Sequence, residues 1–169
     1  MEKEQLNNTI EKAMQLAWSY TQRYGGCTQV VLASIKETAG VISDEVIQSG
    51  TGLAGGVGRT GNACGALIGG VMALSCFWGR PYSDFADPGN RRAKTFTMSK
   101  KLVDKFQETY GSPNCGTTLE KIMGRSYNLN DQKDFEQFLK DGGHDGKCNS
   151  VCANTVRWVL EILNEEGLV

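Results

Sequence analysis

Thr51-Gly-Leu-Ala-Gly-Gly-Val-Gly-Arg-Thr-Gly-Asn-Ala-Cys-Gly-Ala-Leu-Ile-Gly-Gly70 is the stretch that sets the fold of this chain. Gly50 to Gly61 holds six glycines in twelve residues. Glycine costs about 1 kcal/mol at each interior position of a helix, so this part is a loop with unusual backbone angles or close backbone contacts. From Cys64 the chain turns apolar and stays so to Trp78, where Gly79-Arg80-Pro81 stops it. That run is shorter than the ~18 apolar residues of a membrane span and is interrupted by glycine, so it reads as a buried central helix.

The rest of the chain reads as helix on both sides of it. Leu6, Ile10, Ala13, Met14, Ala17 and Tyr20 recur at helical spacing over Glu4 to Tyr24, and Gly25-Gly26 ends that helix. Cys27 to Thr38 carries Cys27, Val31, Ser34, Ile35 and Thr38 on one stripe, and a short helix starts near Ser43. Arg91 to Tyr110 is a long amphipathic helix with Phe96, Ser99, Val103, Phe106 and Tyr110 as its expected stripe. Shorter helices follow from Cys115 and from Asp131, the latter with Phe135, Phe138 and Leu139 facing inward. Asp141 to Gly146 is expected to be a flexible loop. The last helix, from about Lys147 to Glu166, buries Val156, Val159, Leu160 and Leu163. No strand pattern, repeat or linker appears. The expectation is an all-α, single-domain helical bundle over residues 1–169, with the glycine-rich loop preceding a buried central helix.

Composition narrows the function. The 169 residues carry 18 Lys+Arg against 19 Asp+Glu, with no basic run, so nucleic acid is not the expected partner. The charged opening Met1-Glu-Lys-Glu-Gln-Leu-Asn-Asn has no apolar core of a signal peptide, which points to a cytoplasmic protein without membrane insertion. In a reducing compartment six cysteines point to catalytic, sensing or metal-bound thiols rather than structural disulfides.

Five of them, Cys27, Cys64, Cys115, Cys148 and Cys152, are expected where helices begin. A helix start presents free N–H groups and the positive end of its dipole, which favours a thiolate. Cys148 and Cys152 are four apart and share a face that continues into the buried stripe. Cys76 lies twelve residues past Cys64, about 120° round the same helix at 3.6 residues per turn, and reads as packing. There is no Cys-x2-Cys pair of a zinc ribbon or thioredoxin motif, no haem-attachment motif, and no P-loop or dinucleotide fingerprint. The single histidine, His144, and Arg59 in the glycine loop read as solvated side chains; a base or ligand, and a counter-charge to a thiolate, are their sharper alternatives.

Gly26-Cys27, the segment Cys64-Gly65-Ala66-Leu67-Ile68-Gly69-Gly70 after its glycine loop, Tyr110-Gly111-Ser112-Pro113-Asn114-Cys115, and a cysteine opening the last helix occur in that order. From about Tyr24 to Leu163 this resembles the redox-active C_GCAxxG_C_C family of bacteria and archaea. The order here is Ala63-Cys64-Gly65-Ala66 rather than Gly-Cys-Ala, so the match rests on the segment's context. The resemblance implies a redox role and four family cysteines: Cys27, Cys64, Cys115 and one of Cys148 or Cys152. Cys152, whose spacing to Val156 leads into the buried stripe, fits the fourth place better, and Cys148 is then an additional, resolving thiol.

Two mechanisms follow. One is thiol–disulfide or persulfide exchange, with Cys64 as the attacking thiolate and Cys27, Cys115 or Cys152 resolving; it needs no cofactor, and its partner is a redox protein or a small thiol or disulfide. The other is an electron-transfer site in which Cys27, Cys64, Cys115 and Cys152 hold an iron–sulfur cluster or zinc. The bland alternative is a helical domain whose cysteines merely pack. The exposed face of the Arg91–Tyr110 helix is a possible homodimer surface.

Overall fold

The computed structural model describes residues 3–169, and Met1 and Glu2 of the charged opening lie outside the described residues. Within them the chain forms eight α-helices and no strand: α1 (Lys3–Tyr24), α2 (Cys27–Ala39), α3 (Asp44–Ser49), α4 (Gly65–Trp78), α5 (Arg91–Tyr110), α6 (Cys115–Met123), α7 (Gln132–Lys140) and α8 (Cys148–Glu165). Among the described residues no helix is long and apolar enough to cross a membrane. The all-α bundle expected from the sequence is the observed architecture, and the glycine-rich loop precedes α4 as expected.

Helix α8 lies along α1 and packs on α2, α4 and α5, while α4 lies between α2 and α5. Leu32 and Ile35 from α2, Leu74 from α4, Leu102 and Phe106 from α5, and Leu160 and Leu163 from α8 are fully buried where these helices meet. Each such side chain contributes roughly 1.5–3 kcal/mol by leaving water. Phe106, Tyr110 and Trp158 pack ring against ring, and the Asn154 amide donates to the Tyr110 hydroxyl at 2.9 Å. A second, smaller cluster joins α6 and α7 through Cys115, Leu119, Tyr127, Leu129 and Phe138.

The α5 stripe differs from expectation. Thr95, Met98, Leu102, Phe106 and Tyr110 are buried, whereas Phe96 is 68% exposed. Stepping back from Phe106 by four residues at a time gives Leu102 and Met98; Phe96 lies on the neighbouring row, and its apolar ring misled the assignment. Leu139 of α7 is likewise mostly exposed, at 41%. Asp141 to Gly146 is a hydrogen-bonded, kinked turn. Asp145 N–H donates to Gly142 O at 2.9 Å, Lys147 N–H donates to the same oxygen at 3.3 Å, and Gly146 N–H donates to Asn149 Oδ1 at 2.9 Å. The buried Asn149 amide in turn donates to Trp18 O at 3.0 Å, tying this turn to α1.

Helices α2 and α4 touch backbone to backbone. A β-carbon at Gly69 would stand 2.7 Å from Thr28 O and 3.2 Å from Thr28 Cα. Gly69→Ala therefore has to push two helices apart, an overpacking cost of about 1–3 kcal/mol. We expect its Tm to fall by several degrees, at roughly 2–4 °C per kcal/mol for a chain of this size; a thermal melt equal to that of the parent would show that the two helices separate freely.

Candidate functional site

The glycine-rich loop is built from its own backbone. Gly58 N–H donates to Gly52 O at 2.8 Å, Gly61 N–H to Gly55 O at 3.1 Å and Asn62 N–H to Gly56 O at 3.0 Å. Val57 and Arg59 are held at φ of 62° and 63°, a conformation L side chains rarely adopt and one that clusters at functional sites. The Asn130 amide donates to Gly58 O and Arg59 O at 3.1 and 3.2 Å, fixing the loop against the segment before α7.

The end of this loop is stitched to the segment before α6. Cys64 N–H donates to Pro113 O at 2.7 Å and Cys115 N–H donates to Asn62 O at 2.6 Å, around an isolated antiparallel bridge between Ala63 and Asn114. Two helices are thereby made to start side by side, with one thiol at each start. Cys27 opens α2 opposite them. Its Sγ occupies the place where a β-carbon of Gly65 would be, so α2 and the first turn of α4 meet through that thiol.

Cys27, Cys64, Cys115, Cys148 and Cys152 all line one cavity of about 650 Å³, and Cys76 does not. All six cysteines are free thiols. Cys64, Cys115 and Cys152 are buried, whereas Cys27 and Cys148 are half-buried. Cys27, Cys115 and Cys148 are the first residues of their helices, and Cys64 caps α4. Cys152 corrects the expectation that all five sit at helix starts: it lies in the second turn of α8, one turn past Cys148 on the same face. Cys76 packs at the edge of the core, as its position on α4 predicts.

The expected thiolate-favouring environment is overturned. Burial pushes the Cys27 thiol up, although the N–H groups of Gly55, Thr28, Cys27 itself and Ala66 oppose it. Cys64 lies well above the ordinary value of 9.0, first from burial and then from the nearby Cys27 and Cys115. Cys115 is pushed up to about 12 by burial, with Cys27 adding. Cys148 is raised strongly by burial and by the four other thiols, and Cys152 by burial and Cys27 against a hydrogen bond from Thr21. The magnitudes explain the outcome. A helix terminus contributes about 0.3–1 kcal/mol, whereas full burial shifts an ionisable group by up to 3–5 pH units.

His144 and Arg59 are not simply solvated. The His144 ring is half-buried edge-on to Phe138 at 5.3 Å and closes over Gly25, where a β-carbon would stand 2.8 Å from its Cε1. Burial, and then the charge of Arg59, holds it below its ordinary value, so it is neutral at pH 7. Arg59 is exposed to solvent, but its guanidinium lies 4.5 Å above the Phe135 ring at the cavity mouth. Thr118 was missed: its hydroxyl is buried without a partner and it lines the cavity. The available signal was its spacing of three residues from Cys115, which puts both on one face of α6.

The alternative donor set, Cys27, Cys64, Cys115 and Cys152, shares the cavity but is not drawn together around one point. Among the described residues no three His, Cys, Asp or Glu side chains are grouped so as to hold a metal ion.

Comparison with known proteins places the chain in a family. The family described as "Putative redox-active protein (C_GCAxxG_C_C)" matches residues 26–165. The chain belongs to this family. An uncharacterized protein of Archaeoglobus fulgidus is similar to it, 26% identical over 110 residues, which is 63% of this chain and 73% of that one. No solved structure matches. The matched span of this C_GCAxxG_C_C protein begins one residue before Cys27 and takes in all the cavity thiols.

Cys115 supplies a pH test. Unfolded, its thiol loses a proton near 9.0; folded, it keeps the proton to about 12. Between those values the folded state binds more protons, so stability is complete below pH 9 and falls as pH rises, by about 1.4 kcal/mol per pH unit for one such thiol. Urea midpoints of the reduced protein should decline from pH 9 to 11, and Cys115→Ala should flatten the slope. An unchanged slope in that variant would show that this thiol titrates as it does unfolded.

Proposed function

We propose that this C_GCAxxG_C_C protein performs thiol–disulfide exchange inside its cavity, with Cys27 attacking and Cys64 resolving. The observation that carries it is that five free thiols line one cavity, open on one side, that also holds a neutral imidazole. Cys27 suits the attacking role better than Cys64. It is half-buried rather than buried, and backbone N–H groups near its sulfur, those of Gly55 and Thr28 foremost, oppose the upward shift that burial imposes. Its Sγ leaves no room for a β-carbon on Gly65, and Gly65 is next in the chain to Cys64.

The electrons and protons balance with a small disulfide as oxidant. The Cys27 thiol passes its proton to His144, and its sulfur attacks one sulfur of the disulfide. The substrate S–S bond breaks, a mixed disulfide forms on Cys27, and the departing thiolate takes the proton back from His144. The Cys64 thiol then gives its proton to His144 and attacks Cys27 Sγ. A Cys27–Cys64 disulfide forms, the second substrate thiolate leaves, and it too takes its proton from the imidazolium. One disulfide is reduced to two thiols and two cysteine thiols are oxidised.

Cys27→Ser should reduce exchange with a small disulfide to the level of protein whose cavity thiols have been alkylated. Cys64→Ser should instead accumulate a mixed disulfide on Cys27, visible as an added half-substrate by intact-mass spectrometry. Cys76→Ser should exchange at the parent rate. Full exchange by the Cys27 variant would remove the proposal, and the same adduct on Cys148 instead would reassign the attacking thiol.

A further inference from the structure

The wall of the cavity carries positive charge and no negative charge. Arg23 and Arg59 line it, and no Asp or Glu does. Both arginines are exposed, at the mouth, with guanidinium groups 5.3 Å from the Tyr24 ring and 4.5 Å from the Phe135 ring. Ring stacking holds a guanidinium in place while leaving its in-plane N–H donors free. Among the described residues neither arginine pairs with a carboxylate. Asp145, a nearby acid, lies outside the lining and is hydrogen-bonded by the Gln22 amide at 3.4 Å.

The depth of the thiols limits what can reach them. Cys64, Cys115 and Cys152 are 6%, 8% and 0% exposed, out of reach of a disulfide on the surface of a folded protein. A volume of about 650 Å³ instead suits a small molecule that enters whole.

We propose that the cavity takes a low-molecular-weight disulfide bearing carboxylates, anchored by Arg23 and Arg59 at the mouth. The proposal rests on the thiol-exchange reading for its disulfide. Its anionic part rests on the charge pattern alone. Carboxylates at the mouth take the guanidinium forks, and the disulfide sulfurs extend inward to the thiols.

Three probes separate these parts: dithiodipropionate, which carries two carboxylates; bis(hydroxyethyl) disulfide, which carries none; and suberate, the unreactive carbon analogue of the first. Calorimetry should show suberate binding to the reduced protein. The paired change Arg23→Gln with Arg59→Gln should weaken it by about tenfold or more. The rate ratio of dithiodipropionate to bis(hydroxyethyl) disulfide, normalised to a free thiol, should exceed about ten in the parent and fall with added salt. Arg23→Gln alone, at the end of a regular helix, should lower that ratio even if the Arg59 change disturbs its loop. Absence of suberate binding, or a ratio unmoved by salt and by both arginine changes, overturns the anionic site while leaving exchange intact. Suberate binding without exchange of either disulfide overturns the exchange reading and leaves an anion site.

Discussion

Helices α2 and α4 can lie against each other only because Gly65 and Gly69 have no β-carbon, and the remaining site geometry depends on that contact. Gly69 admits the backbone of Thr28, and Gly65 admits the sulfur of Cys27. Cys27 is therefore packed onto the turn that Cys64 caps, without any covalent link between them. The pair of backbone bonds between the Asn62–Cys64 and Pro113–Cys115 segments then adds the start of α6 to the wall of the same cavity. α8 contributes Cys148 and Cys152 because it runs along α1 and its first turn is fixed by the Asn149 amide on Trp18 O. Four helices are aimed at one space by contacts that are mostly backbone, and backbone contacts tolerate little adjustment.

Two opposing electrostatic effects meet in that space. Helix starts and the N–H groups around Cys27 favour thiolates, while burial and the mutual repulsion of closely placed thiols oppose them. Burial wins at every cavity cysteine, so the reduced protein holds protonated thiols at neutral pH. A buried thiol set of this kind is not spontaneously nucleophilic. Exchange there needs a proton acceptor at hand and a ligand brought to the sulfurs, roles we propose for His144 and the two arginines that line the cavity.

Much of this was legible in sequence, for identifiable reasons. Glycine, proline and asparagine stand just before Cys27, Cys64 and Cys115, and apolar stripes begin just after them, so local signals alone place these thiols at helix starts. Cys76 was separable from the rest by helical rotation alone. The sign of the thiol shifts was not legible, because it depends on how deeply four helix ends bury one another, a tertiary quantity. The same holds for His144, which looks like a residue of a glycine–aspartate loop until the Phe138 ring and Gly25 enclose it. On α5 the error had a local cause: the aromatic ring of Phe96 drew the stripe onto a neighbouring row, whereas Met98 and Leu102 face the core in line with Phe106.

The cavity lies where two apolar clusters meet rather than within either. The large cluster spans α1, α2, α4, α5 and α8, and its members are largely withdrawn from water. The small one, α6 and α7 with Tyr127 and Leu129, supplies the wall that carries Thr118, Leu119, Phe135 and Phe138. This wall is held by the Cys115–Asn62 backbone bond, the Asn130 amide and the His144 turn, with few buried apolar side chains behind it. Regions with few buried apolar contacts open at lower free energy than the core. The bundle side therefore holds Cys27, Cys64 and Cys152 against a large core, while the α6–α7 side has little apolar burial to keep it in place. Of the two walls it is the one that opens at the lower free energy.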